Sequence, residues 1–507
     1  MLRRLSELPL LVLLMGITSL SMWLPAAHAA ILRDHDTGRA FFYSGVILLI
    51  LTAMIGIATV NHRARNPARA NLVALVGAYA VLPLLMALPV IQALPDTSWS
   101  NAWLEMVSSF TTTGASLYEP DRLPPSIHLW RAQAGWMGGL FILVAAVAIL
   151  APMTLGGIEV MSGRVPGRGA EGLSQITATA DPARRVARQA AVVLPIYAGL
   201  TVLLWVALLM AGQPNFPALI HAMSSVSTSG ISATGGLPIE GHTFLAELAI
   251  FLALFGGITR RLWPGSFAYE PGSRLSGDPE LRMALALLAV IPTLLFLRHW
   301  IAATDGITPS EGDGIAGLRA LWGALFTTLS FLTTTGFTSA DWSAARHWSG
   351  LETPGLVLAG LAIFGGGIAT TAGGVKLLRV YALFRHGERE LERLIHPNSV
   401  GGAGSSARRL RREGAYLAWI FFMLFALSIA VLVAALALAG IEFEPALILT
   451  LGALTTTGPL TSIAAVDPIP LALLPAAAKA ILGLAMIVGR LELLAILVLL
   501  APDNWRR

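Results

Sequence analysis

Four short runs of hydroxyl residues, each closed by a glycine, are the parts of this chain best suited to chemistry: Thr111-Thr112-Thr113-Gly114, Ser227-Thr228-Ser229-Gly230, Thr333-Thr334-Thr335-Gly336 and Thr455-Thr456-Thr457-Gly458. The chemistry they suit is a cage for a dehydrated alkali cation, which needs neutral oxygens rather than charge. Backbone carbonyls make such a cage when several loops aim them at one axis. Glycine permits the unusual dihedrals that turn successive carbonyls the same way. The hydroxyls of Thr112, Thr113, Thr228, Ser229, Thr334, Thr335, Thr456 and Thr457 add oxygens or brace the loop. One such run reads equally well as a loop or a helix C-cap. Four of them, their glycines 116, 106 and 122 residues apart and each set between long apolar runs, point to four loops meeting on one axis as the walls of an ion pathway.

The elements that must hold these loops follow from composition. Of the 507 residues 55% are hydrophobic and only 12% charged, against roughly 25% charged in soluble domains. Several apolar runs exceed the roughly 20 residues that cross a bilayer, and none alternates as a barrel strand would. The chain is therefore an all-α multispan membrane protein. It has no cysteine, which excludes disulfides, thiol chemistry and Cys-ligated metals. The net charge of +5 sits in short loops between spans, where membrane topology places Arg and Lys, and does not mark nucleic-acid binding.

Spans are expected at about 8–28, 41–60, 72–94, 131–160, 190–212, 244–262, 281–300, 351–380, 415–440 and 471–500, each near the roughly 20 residues a crossing needs. The first follows Arg3-Arg4 and precedes Ala27-His28-Ala29, a pattern shared with cleavable signal peptides; its length and the span close behind it favour a retained helix. The loops 61–71, 161–189, 260–282 and 376–414 are rich in Arg and Lys and so cytoplasmic, which puts both termini there too. The opposite loops hold all four hydroxyl–glycine runs and carry mostly acids, among them Asp96, Glu119, Asp121, Glu240, Asp305, Asp341, Glu442 and Glu444. Segments 99–110, 216–226, 317–332 and 445–454, too short to span, precede the four runs and suit half-helices entering from outside. Each would aim the negative carboxyl end of its dipole at the ion. The unit is helix, pore loop, helix. It occurs four times in pseudo-fourfold arrangement after two extra amino-terminal helices: 1–61 for the extra pair, then 62–170, 171–270, 271–395 and 396–507 for the repeats. Repeats of one orientation ring a pore, whereas carriers more often show inverted repeats.

Here the chain resembles the Trk/Ktr/HKT superfamily of cation transporters, and within it the Trk-type potassium subunit. The resemblance runs over nearly the whole length, through SSFTTTGASLYEPDRLPPSIHLWRAQAGWMGGL, HAMSSVSTSGIS, LSFLTTTGFTSADW, FGGGIATTAGGVKLLRVYALFRHGERELERLIHPNSV and AKAILGLAMIVGRLELLAILVLLAPDNWRR. It implies a filter with one glycine per loop, at Gly114, Gly230, Gly336 and Gly458, with K+ as the transported ion. It further implies a homodimer in the bacterial inner membrane, gated by a cytosolic nucleotide-binding ring. The fourth loop departs from the family pattern: Thr457 stands where an Asn is common, and Leu460 where a Gly follows the Pro. That departure bears on ion preference.

Two features lie below the expected filter. Gly365, Gly366, Gly367, Gly373 and Gly374 crowd one span together with Thr370 and Thr371. Glycines cost a helix roughly 1 kcal/mol each relative to alanine, so an unwound loop is expected. Close packing of small residues against neighbouring helices is the bland alternative; the resemblance favours a movable gate. Arg490 lies inside the last span, where a charge is expensive and usually functional or paired. The residues allow a pore-facing charge or a structural pair with Glu492 or loop carbonyls; the resemblance brings this Arg to the glycine-rich loop. Lys479, about three turns earlier, is expected to snorkel to the outer interface. His221 reads as structural, and His386 and His396 lack metal-ligand spacing. No P-loop or dinucleotide fingerprint occurs, so no organic cofactor is expected and nucleotide sensing falls to another protein. A cation-coupled carrier would need embedded carboxylates, of which there are few, Glu159, Glu247 and Glu492. A sodium-permeable member of the same superfamily is the nearer alternative. A membrane enzyme would need clustered acid–base or metal residues, and none is present.

Overall fold

The computed structural model of the chain describes residues 8–59, 67–153, 155–158, 160, 182–237, 243–263, 277–302, 314–350, 354–396, 412–465 and 468–500. The basic stretches 61–66, 161–181, 264–276 and 397–411, the acids Glu159, Glu240, Asp305 and both chain ends lie outside the described residues. Among the described residues every regular element is helical, and eight helices are long and apolar enough to cross a membrane.

The amino-terminal pair is Leu10–Ile31, its regular hydrogen bonding interrupted at Met22, and His35–Thr59. A left-handed Arg33, φ 62°, makes the tight return between them. Gln133 Nε2 donates to the Ser21 carbonyl at 2.9 Å, and His28 shares a 2.9 Å hydrogen bond with Ser126. Both partners sit on Pro125–Ala145, so the pair is fastened to the helix that follows the first hydroxyl run.

Each hydroxyl run comes at the end of a helix, Trp99–Phe110, Asn215–Ser227, Gly314–Leu332 or Phe443–Leu454. The third is apolar for 18 residues, enough to mimic a span, yet it stops at the buried Thr333. In the 18-residue apolar stretch of Pro125–Met153, 72% of the residues are buried, and in that of Gly414–Leu438 only 17%. The first is central and the second peripheral, presenting Leu427 and Val431 outward, as a helix facing acyl chains does. One apolar cluster joins the first and fourth loops through Tyr79, Phe110, Phe141, Leu454 and Ile487. Another joins the second and third through Tyr197, Phe326, Phe331 and Leu361. The loops are thus walled by core on both sides.

Three spans differ from their expected form. The expected 244–262 is a shorter helix, Phe244–Gly257, because the Gly257 carbonyl is given to another segment (below). The expected 131–160 is regular only to Ala145, then widens into a π turn, Ala146–Leu150, and tightens into Ala151–Met153. The expected 471–500 breaks at Glu492, φ 66°, and Leu493–Leu499 turns 94° away from Ala476–Leu491. Arg490 therefore stands at a helix break rather than midway along a straight span. The expected basic loop 376–414 begins as a helix, Leu377–Ile395.

Candidate functional site

The four hydroxyl runs share one backbone solution. Each half-helix ends in a Schellman cap. Thr113 N donates to Ser108 O at 2.9 Å and Thr112 N to Ser109 O at 3.0 Å; the matching pairs start from Ser229 and Thr228, from Thr335 and Thr334, and from Thr457 and Thr456. The left-handed residue such a cap needs is usually glycine. Here it is threonine all four times: Thr112 φ 56°, Thr228 φ 52°, Thr334 φ 57° and Thr456 φ 55°. A β-branched residue at positive φ is an outlier, and strain of this kind, about 1–3 kcal/mol per residue, collects at functional sites. The runs are therefore helix C-caps, one of the two readings that a single run allows. Sequence reasoning gave the special dihedral to the glycines and missed the threonines, although all four runs place Thr second.

The outer two hydroxyls brace this turn. Thr111, Ser227, Thr333 and Thr455 each donate to a carbonyl one turn back, at 2.7, 2.8, 3.0 and 2.7 Å. They also pair with the third residue of the run, at 2.8, 3.0, 3.1 and 3.1 Å. All twelve hydroxyl residues are at most 2% exposed. The carbonyls of Thr112, Thr228, Thr334 and Thr456 accept no hydrogen bond among the described residues, so four strained turns each leave a carbonyl oxygen free.

The glycines show how the loops meet. A Cβ on Gly114 would overlap the Ser229 carbonyl, one on Gly230 the Thr335 carbonyl, one on Gly336 would press on Pro459, and one on Gly458 would overlap Ala115. Gly458 N also donates to Thr113 O at 2.6 Å. The contacts close a cycle, first to second to third to fourth to first. Gly114, Gly230 and Gly336 have φ of 72°, 66° and 84°, but Gly458 does not have a positive φ; it leads into Pro459, which caps the short helix Leu460–Ile463. The fourth loop thus departs in backbone where it departs in sequence. Elsewhere glycine allows close approach: a Cβ on Gly138 would overlap the Phe110 carbonyl, and one on Gly489 the Leu454 carbonyl. These are the last carbonyls of the first and fourth half-helices.

The glycine-rich segment is unwound, between Gly355–Phe364 and Leu377–Ile395. Gly365 and Gly374, φ 70° and 78°, form its neck, and a Cβ on either would overlap the other arm. The loop is buried throughout and its backbone is held from several sides. Gly367 N and Thr370 Oγ1 donate to the Gly257 carbonyl at 2.9 and 3.1 Å. Ile368 N donates to Glu280 Oε1 at 2.7 Å, and Arg260 Nη1 donates to Ala369 O at 3.2 Å. Arg490 Nη1 donates to Thr371 O at 2.5 Å. A Cβ on Gly373 would overlap Thr455 O and Thr456 Oγ1, which sets the loop directly against the hydroxyl runs. A small cavity lined by Ala146, Leu150, Ala369, Gly373, Lys376 and Arg490 lies against it.

Arg490 thus takes the loop carbonyl, not Glu492. Glu492 pairs with Arg379 at 2.6 Å, and Arg379 also lies 3.7 Å over the Phe421 ring. Lys479 donates to the Ala472 carbonyl at 2.7 Å. His221 bridges Gln213 and Ser232 at 3.2 and 3.1 Å. The embedded Glu247 accepts from Trp322 Nε1, Ser339 Oγ and Ala340 N at 2.7, 2.8 and 2.7 Å, clamping the chain just after the third run. Glu280 and Arg260 were not singled out from sequence. The Asp278-Pro279-Glu280 start, with Asp278 Oδ1 accepting from Glu280 N at 3.1 Å, looks like any capped helix.

Glu105 plays for the first loop the part Glu247 plays for the third. Its Oε2 accepts from Leu117 N at 2.8 Å, and Oε1 pairs with Arg131. Both side chains are at most 3% exposed. Removing one member of a buried pair strands the other and costs about 3–5 kcal/mol. Glu105→Ala is therefore expected to lower the unfolding temperature in detergent sharply, and Glu105→Ala with Arg131→Met to recover part of it. A single variant no worse than the double would show that the pair carries no such weight.

Spanning helices packed around four buried, strained loops define the class: a polytopic α-helical membrane protein. The chain belongs to the cation transport protein family TrkH, whose signature matches residues 37–507. It is 33% identical over 505 residues to the Trk system potassium uptake protein TrkH of Salmonella typhimurium, covering 97% of this chain and 98% of that one. The corresponding protein of Escherichia coli K12 is 32% identical over 510 residues, with the same coverage. The crystal structure of the potassium transporter TrkH from Vibrio parahaemolyticus matches the fold with a TM-score of 0.78, at 28% identity and over 100% of both chains.

Proposed function

We propose that this protein is the membrane subunit of a potassium uptake system, passing K+ down its electrochemical gradient through the ring of hydroxyl–glycine loops. One observation carries the reading: four threonines at φ 52–57° end four half-helices, each with a carbonyl unbonded among the described residues, on loops whose contacts close a cycle. The potassium-uptake relatives support the choice of ion. In this reading Thr112–Gly114, Thr228–Gly230, Thr334–Gly336 and Thr456–Gly458 form a pseudo-fourfold filter belonging to the repeats 62–170, 171–270, 271–395 and 396–507. Carbonyls replace the ion's hydration shell there, and the half-helix carboxyl ends add favourable dipoles. The loop with Gly365, Gly366, Gly367, Thr370, Thr371, Gly373 and Gly374 is the gate, held by Arg490. The subunit acts as a homodimer in the inner membrane, both termini cytoplasmic, under a cytosolic nucleotide-binding ring.

Of the three embedded carboxylates expected from sequence, the two described, Glu247 and Glu492, favour a pore over a coupled carrier, since Glu247 is held by three donors and Glu492 by Arg379. The fourth loop favours modest ion discrimination, because Gly458 lacks the left-handed φ of its three counterparts. The test is cation flux into liposomes holding the purified chain, with potassium, rubidium, sodium and lithium compared at fixed voltage. Potassium and rubidium are expected well above lithium, with sodium between. Equal flux of all four, or flux that requires a proton gradient, would overturn the reading.

A further inference from the structure

The second threonines of the four runs are alike in backbone but not in what meets their hydroxyls. Thr112, Thr228 and Thr456 Oγ1 are buried and make no hydrogen bond among the described residues. Thr334 Oγ1 instead accepts a hydrogen bond from Gly373 N at 2.7 Å. Gly373 belongs to the glycine-rich loop and lies between Thr334 and Thr456. No other hydroxyl of the ring accepts a hydrogen bond from that loop among the described residues.

A hydroxyl oxygen has two lone pairs. One given to Gly373 N is withdrawn from a cation, and the amide hydrogen presents positive charge where the cation would sit. Conversely, the Gly373 N–H is buried and needs an acceptor, so the seated loop depends on this oxygen. Resting on the reading of the runs as filter and of 365–374 as gate, we infer that Thr334 couples the two: its hydroxyl anchors the gate loop when the loop is seated and becomes the fourth equivalent oxygen at the inner end of the filter when the loop leaves. Linkage then makes the effect reciprocal. A potassium ion at the inner end favours release of the loop, and a seated loop weakens binding there.

The test measures rubidium uptake into liposomes by the purified full-length chain without any partner protein. Thr334→Val removes the hydroxyl and keeps the shape. A hydrogen bond worth about 1–1.5 kcal/mol corresponds to about a tenfold shift. Thr334→Val and Thr228→Val each remove one ring oxygen, but of the two only Thr334 accepts a hydrogen bond from the gate loop among the described residues, so partner-free flux through Thr334→Val should exceed that through Thr228→Val about tenfold. Thr334→Ser, which keeps the hydroxyl, should stay near the parent. In an Arg490→Ala background, where the loop is already loosened, that difference should shrink, the non-additivity expected of two contacts on one element. Should valine not be accommodated, Thr334→Ala compared with Thr228→Ala must give the same excess. The inference is overturned if the Thr334 variants carry no more flux than the matching Thr228 variants while Arg490→Ala raises flux above the parent; the gate reading would then survive alone. Failure of Arg490→Ala to raise flux, together with no excess in the Thr334 variants, would bring down the gate reading and this inference together.

Discussion

Replacing Arg490 with alanine is expected to raise partner-free potassium flux about ten- to a hundredfold. Arg490 is 4% exposed, at the break of the last span, and its 2.5 Å bond to the Thr371 carbonyl ties that span to the glycine-rich loop. A hydrogen bond from a charged donor is worth roughly 1.5–3 kcal/mol, which at 1.4 kcal/mol per decade gives about one to two orders of magnitude in the seated fraction. The substitution also removes a positive charge beside the proposed ion path, so both effects act in one direction. Arg490→Lys keeps the charge but not the guanidinium fork and should fall between. Stopped-flow uptake in liposomes measures all three. An alanine variant with parental flux and parental unfolding temperature would mean that Arg490 is a structural tie with no bearing on permeation.

Gly114→Ala is expected to reduce flux at least tenfold while leaving the protein folded. The position is left-handed, φ 72°, which costs an alanine about 1–2 kcal/mol. Its methyl would also overlap the Ser229 carbonyl of the neighbouring loop. That carbonyl cannot yield without moving the second loop, because Ser229 N is already bonded to Ser224 O at 2.9 Å. The displacement therefore enters the ring rather than the surrounding helices. Gly458→Ala makes a useful contrast: the overlap with Ala115 is similar, but the backbone is not left-handed. It should be the milder of the two in stability. Rubidium uptake and thermal unfolding, measured together, separate a blocked ring from a misfolded protein.

Periodicity of apolar runs, the four hydroxyl–glycine stretches and the glycine-crowded span were readable in the chain as written, because each depends on local composition. A run either is or is not long enough to cross a bilayer, and five glycines in ten residues weaken a helix wherever they sit. The half-helix Trp99–Phe110 was legible to the residue, since Ser98 caps it and the hydroxyl run ends it. The partners of the buried charges were not legible. Arg490 could have taken Glu492 or a loop carbonyl, and Glu492 went to Arg379, 113 residues away. Glu280 resembles an ordinary first-turn acid until Ile368 N, 88 residues on, is found against it. Such choices depend on long-range placement, because an ion or amide buried in low dielectric accepts whichever partner the packing brings within about 3 Å.

The threonines draw the line most clearly. Sequence alone determined that four hydroxyl residues in corresponding places precede or follow the same turn, and that four such turns belong together. Only the tertiary structure decided that Thr112, Thr228, Thr334 and Thr456 take the strained left-handed conformation, and that one of the four hydroxyls, on Thr334, accepts a hydrogen bond from the glycine-rich loop. A β-branched residue has no local reason to adopt positive φ. It does so here because the half-helix behind it, the braced hydroxyls beside it and the neighbouring loop in front of it act together, and the last of these comes from a part of the chain more than a hundred residues away.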